Sequence, residues 1–159
     1  MRAQAGRSGG GETMFELWID GACSGNPGRG GWAVIIATPD GSIRELSGRV
    51  PGPTTNIRME LQAAIMGLLS IPEGATVTVY TDLEMLVQGI THWCPAWELN
   101  GWRKSDGGSV ANVDLWQILR AVAKTRKVTW VHVRGHAGHI LNERANLLAQ
   151  EAAGTINKH

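Results

Sequence analysis

No apolar run in this 159-residue sequence is long enough to cross a bilayer, so it offers no candidate membrane-spanning helix. Cysteine is scarce. Cys23 and Cys94 are too few for a disulfide framework and follow no CxxC spacing of the kind zinc sites use. Tyrosine and phenylalanine appear once each, against seven tryptophans, and no lysine precedes Lys104. Net charge is only +1, so bulk electrostatics do not announce a nucleic-acid partner. The opening MRAQAGRSGGGET lacks the apolar stretch of a secretory signal and reads as a flexible tail, too short and polar to fold as a further domain. Together these absences predict a cytoplasmic chain with both thiols reduced.

What is present is patterned. FELWID (15–20) alternates, with Phe15, Leu17 and Ile19 on one face and Glu16, Trp18 and Asp20 on the other, which predicts a strand. GACSGNPGRGG reads as a turn-rich break, a glycine-built hairpin, before the apolar strand GWAVIIA. Pro39-Asp40-Gly41 is a hairpin turn leading to a third strand, SIRELSGRV. Residues 58–69 place Leu61, Ala64, Ile65 and Leu68 on one helical stripe, stopped by Pro72 and Gly74. ATVTVYT, dense in β-branched residues, is a fourth strand, and a helix follows Asp82 to about residue 90. After a tryptophan-rich stretch come the amphipathic helix NVDLWQILRAVAKT, a fifth strand KVTWVHV and a closing helix over 142–153. A strand meander feeding alternating helices and strands implies an α/β domain, one mixed sheet with helices packed on it, over 14–154 between tails 1–13 and 155–159.

Asp20 and Asp82 each end an apolar strand, and Glu60 lies in the helix between those strands. Adjacent strand ends and a crossing helix can gather three carboxylates at the carboxyl edge of the sheet, where open α/β sheets bind ligands. Such a cluster calls for a cation, and Mg²⁺ suits an all-oxygen site. Each residue also has a plainer reading: Asp82 caps the next helix, Asp20 opens a turn, Glu60 is a solvated helix residue. Spacing alone leaves both readings open. The glycine-rich segment lacks the GK[ST] ending of a phosphate loop and precedes a strand. Of the histidines, His132 falls on a strand face and is read as structural, while His136, flanked by glycines, is free to shuttle protons. Trp93 and Trp97 share a helical face, with Arg103 and Lys104 just beyond. That pairing suits either a nucleic-acid backbone or a satellite core under a long loop.

The segments IDGACSGNPGRGGW, TTNIRMELQAAI, YTDLEMLVQGI, GWRK, NVDLWQIL and VRGHAGHILNERANLLAQEAA resemble type 1 ribonuclease H in order and spacing, from about residue 14 to 154. The resemblance implies a ribonuclease H-like fold with sheet order 3-2-1-4-5 and an endonuclease acting as a monomer on the RNA strand of RNA/DNA hybrids. It implies two Mg²⁺ ions, with Mn²⁺ a substitute, so that both the attacking and the leaving oxygen of an in-line displacement are stabilised. By position, Asp20 bridges both metals, Glu60 and Asp82 help hold the second, and His136 is the mobile proton-transfer residue. The backbone around Cys23–Asn26, with Asn56, contacts 2′-hydroxyls in the minor groove. Thr55 resembles the family residue that grips a DNA-strand phosphate. Trp93, Trp97, Arg103 and Lys104 belong to the protruding handle.

The departures are as informative. Asn146 stands where the family has its fourth acidic ligand; an amide offers a carbonyl oxygen but no anion, which predicts weaker metal binding and slower chemistry. Ile57 replaces a second asparagine, Leu83-Glu84 replaces a small polar residue and glutamine, and Glu98-Leu99-Asn100 opens a handle that is basic in many members. Fewer phosphate contacts predict weak hybrid binding with a shallow salt dependence. The alternative to an attenuated enzyme is a non-cleaving hybrid-binding module. A resolvase- or integrase-like nuclease of the same fold is disfavoured by the TTN and DGACSGNPG segments and the tryptophan handle.

Overall fold

The computed structural model describes residues 14–134 and 139–154. Strands β1 (Met14–Gly25), β2 (Gly28–Ala37), β3 (Ile43–Arg49), β4 (Thr76–Thr81) and β5 (Lys127–His132) form one sheet in the order β3-β2-β1-β4-β5. The β1–β2–β3 pairings are antiparallel, and β4 and β5 run parallel to β1. The expected mixed sheet and strand order are therefore observed.

Helix α1 (Asn56–Leu69) starts two residues before the expected stripe because Thr55 caps it, its Oγ1 accepting from the Arg58 N–H at 3.3 Å. Its buried face, including Met59, Leu61, Ala64, Ile65 and Leu68, joins Leu17, Ile19, Val34, Val77 and Val79 in the main core. α4 (Val113–Ala123) adds Leu115, Trp116 and Leu119. α5 (Ile140–Ala153) belongs to a second cluster built on Trp18, Ile35 and Ala145. There Trp18 is stacked between Tyr80 and His139, each with ring centroids 3.9 Å away. His139 is the N-cap of α5, its Nδ1 accepting from the Leu141 N–H at 3.2 Å, so the stack seats the start of the helix that carries Asn146.

Two expectations need correction. The stretch after Asp20 is the expected hairpin but no break: β1 continues to Gly25 and only Asn26 and Pro27 form the turn, so Asp20 lies inside its strand. The glycines there allow close packing more than turning. A Cβ on Gly21 would stand 2.6 Å from the Glu60 nitrogen, and one on Gly31 2.7 Å from the Ala149 carbonyl oxygen. What does end near Asp20 is the pairing with β4, whose last rung with β1 is Trp18–Tyr80.

The second correction concerns the helix after Asp82, which runs well past residue 90. α2 (Glu84–Gln88) passes through a π-helical turn (Gly89–Trp93) into α3 (Cys94–Leu99). Pro95 does not stop it, because it falls in the first turn of α3, where a missing N–H costs nothing. Gly89 lets the Trp116 ring lie against this turn, where a Cβ would collide with it.

Candidate active site

β1 and β4 part just before Asp20 and Asp82, and α1 crosses that fork with Glu60 facing in. One carboxylate oxygen from each of the three lies within 4.8 Å of the others. Asp20 is 6% exposed and Glu60 4%. The plainer readings fail at each position. Asp20 is mid-strand, Glu60 is buried rather than solvated, and α2 is capped at Leu83 with no side-chain bond.

Glu60 is held from two sides. The Gly21 N–H donates to its Oε2 at 2.7 Å and the buried Thr81 hydroxyl donates to its Oε1 at 3.1 Å. Thr81 Oγ1 also accepts from the Leu83 N–H, tying the carboxylate to the entry of α2. Burial pushes the Glu60 carboxyl well above its ordinary range; a hydrogen bond to Asp20 and the charges of Asp20 and Asp82 push it further, opposed by the Gly21 amide. Three carboxylates this close and this dry are stable only when a proton or a cation offsets their repulsion. The all-oxygen donor set suits a hard divalent cation.

A cavity of about 330 Å³ opens at this cluster, and Asn146 and Gln150 on α5 line it together with Asn56 on α1. Ile57 and Leu83 form its apolar wall. Cys23, Asn56 and Asn146 also line a second, adjoining cavity. Cys23 directs its thiol to the carbonyls of Thr54 (3.1 Å) and Gly28 (3.4 Å), and Asn26 Oδ1 accepts from the Asn56 N–H at 3.2 Å. The hairpin is thus fastened to the start of α1, beside Thr55. That residue's oxygen is engaged as a cap, yet its hydroxyl proton stays available to donate. His136 lies outside the described residues. His132 is exposed at the end of β5.

The tryptophan handle divides in two. Trp97 packs against the core at the centre of an aromatic group, 6.0 Å from Trp93, 6.4 Å from Trp102 and 6.0 Å from Trp116. Trp93 is 39% exposed and, with Arg103, Lys104 and the outer side of the partly buried Trp97, lines a cleft of about 650 Å³. Glu98 faces away from any role as a repelling charge, because it pairs with Lys124 at 2.6 Å and Arg120 at 3.3 Å on α4. Burial pushes the Cys94 thiol up to about 11, which makes it inert at neutral pH.

Pattern reading missed Gly21, Thr81 and Gln150. A backbone donor such as Gly21 leaves no residue-type signal. Thr81 is a β-branched strand residue like its neighbours, whereas Gln150 was findable, four residues from Asn146 on the same helical face.

With this geometry in view, the family model for RNase H matches residues 12–154. Ribonuclease H of Mesorhizobium japonicum is 47% identical over 145 residues, covering 91% of this chain and 81% of its own. That of Afipia carboxidovorans is 52% identical over 136 residues, covering 85% and 89%. Among solved structures, LC9-RNase H1, a type 1 RNase H with the type 2 active-site motif, aligns at 33% identity with a TM-score of 0.80, covering 94% of this chain and 76% of that one. LC11-RNase H1 in complex with an RNA/DNA hybrid shares the fold, with a TM-score of 0.65 at 23% identity.

Proposed function

Because the chain belongs to the ribonuclease H family, we propose that it hydrolyses the RNA strand of RNA/DNA hybrids as a cytoplasmic monomer, with two divalent cations at Asp20, Glu60, Asp82 and Asn146 and at a rate reduced by Asn146. The observation that carries this is the convergence of three carboxylates, two of them almost fully buried, at the fork between β1 and β4. The ions, Mg²⁺ by preference, would supply charge stabilisation and a water of lowered pKa to the phosphodiester.

The chain's own residues supply the rest. Gly21 and Thr81 fix the Glu60 carboxylate so that its oxygens face Asp20 and Asp82 without a rotamer search. Ile57 and Leu83 wall the cavity against bulk water. Asn146 presents an amide, which orients an oxygen donor but leaves the site one negative charge short of an aspartate. Proton transfer to the leaving group belongs to His136 in this reading. In this reading Cys23 and Asn56, which line the second cavity, and Asn26, bonded to the Asn56 N–H, would meet the RNA backbone, while Trp93, Arg103 and Lys104 would offer the DNA strand a stacking face beside positive charge. LC9-RNase H1, a type 1 RNase H with the type 2 active-site motif, is one precedent for a type 1 enzyme with an altered active-site motif.

The test is cleavage of one labelled sequence as RNA/DNA hybrid, duplex RNA, duplex DNA and single-stranded RNA in Mg²⁺. Cutting confined to the RNA of the hybrid is expected. Equal cutting of duplex RNA or DNA overturns the substrate assignment, and binding of the hybrid with no cutting in Mg²⁺ or Mn²⁺ replaces the enzyme with a binding module.

A further inference from the structure

The two cavities beside Asn146 differ in charge. One ends on Asp20, Glu60 and Asp82; the other, about 620 Å³, runs past Cys23 to Arg29. Gly21, Asn56, Asn146 and Gln150 line both, so the two form one groove with three carboxylates at one end and a guanidinium at the other. Arg29 is exposed on β2, its Nη2 donating to the Gly154 carbonyl oxygen at 3.2 Å where α5 ends. Among the described residues it is in no ion pair.

We propose that Arg29 binds a phosphate of the cleaved RNA strand next to the scissile one and so positions that strand in the groove; this rests on the hybrid-cleavage reading above. A polyanion leaving the carboxylate end meets repulsion unless the protein provides a cation further along, and among the described residues Arg29 is the only charged one lining the second cavity. One bond to Gly154 occupies one of five guanidinium donors, which leaves the fork that matches two phosphate oxygens. Asn56 and Gln150, between the two ends, carry amides able to reach sugar or phosphate.

The test is hybrid binding in chelator, where nothing is cut, across a salt titration with the wild type, Arg29→Gln and Arg29→Lys. Glutamine keeps a donor for the Gly154 carbonyl but no charge, which separates anchoring of α5 from phosphate contact. Arg29→Gln is expected to weaken binding about threefold to tenfold at low salt and to lower the slope of log K against log [salt] by about 0.9, while Arg29→Lys keeps the slope. A single methylphosphonate walked along each strand should weaken the wild type, but not Arg29→Gln, at one RNA linkage beside the cleavage position. An unchanged slope in Arg29→Gln, or a sensitive linkage on the DNA strand, overturns the contact alone. A wild type that binds no hybrid overturns the hybrid reading and the contact with it.

Discussion

Asp20 and Glu60 sit at 6% and 4% exposure on β1 and α1, elements whose other faces build the main core, and backbone and hydroxyl donors hold the Glu60 carboxylate. Trp93, Arg103 and Lys104 sit at the far end of a helical arm, around a cleft open to solvent, on a segment whose ionic ties are Glu98 to Arg120 and Lys124. The two regions use the same core differently. In the first, packing sets the functional atoms directly. In the second, packing ends at Trp97, and the residues beyond it stand on its support. Catalytic geometry should therefore be intolerant of change and expensive in stability, while the binding surface should be adjustable one residue at a time.

The largest expected effect lies in the carboxylate pocket. Asp20→Asn keeps the shape but removes the central charge, and the loss of several kcal/mol of transition-state stabilisation lowers hybrid cleavage by more than about 10³-fold. Single-turnover assays on the folded variant check this; a loss below tenfold would take Asp20 out of the centre.

The next effect divides the handle. Trp97→Ala empties the aromatic group and costs about 3–5 kcal/mol of stability in denaturant unfolding. Trp93→Ala, partly exposed, costs less than about 1.5 kcal/mol of stability but weakens hybrid binding by about 1–3 kcal/mol. If both variants lose stability equally, the handle is core throughout and the division is wrong.

Glu60 gives the pocket a pH signature. Its folded pKa is raised above the unfolded value near 4.5 by burial and by Asp20 and Asp82, so the metal-free fold prefers the protonated form. Stability from that preference is fully present below the unfolded pKa and is lost as pH rises from there through the raised folded value. As pH rises above the unfolded value near 4.5, the metal-free protein should thus lose more melting temperature than Glu60→Gln does. Mg²⁺ should recover that difference for the wild type alone. Identical pH profiles for the two metal-free proteins would remove the strain assigned to Glu60.

The smallest effect is at Glu98. Lys124 and then Arg120 hold its carboxyl below the usual range, but the pairs are partly exposed and screened by solvent, so Glu98→Gln leaves the denaturant-unfolding midpoint nearly unchanged. Freed of it, Lys124 and Arg120 should raise hybrid affinity slightly, a gain that fades with added salt. Weaker hybrid binding in Glu98→Gln would contradict this.

The same contrast explains what was legible in the sequence. Strand order, helix stripes and the carboxylate triad could be read because alternation, helical spacing and family motifs coincide at Asp20, Glu60 and Asp82. The extension of β1 through GACSG could not, since glycine carries no alternation and its use there, close approach of β1 to α1, shows only in three dimensions. Nor could the helix through Pro95, which depends on a π-helical turn shaped by Gly89 against Trp116. Glu98 read only as a missing basic residue at the start of the handle, because its partners lie on α4, more than twenty residues away.

Asn146 is where the rigid pocket meets the groove, and its substitution is the most direct test of the account. Hybrid cleavage would be measured across Mg²⁺ and Mn²⁺ titrations for the wild type and Asn146→Asp. The account predicts that the wild type cuts, needs more metal than the variant, and gains rate from the aspartate. Equal metal requirement and equal rate in the two proteins would contradict it, because Asn146 would then have no part in holding the ions.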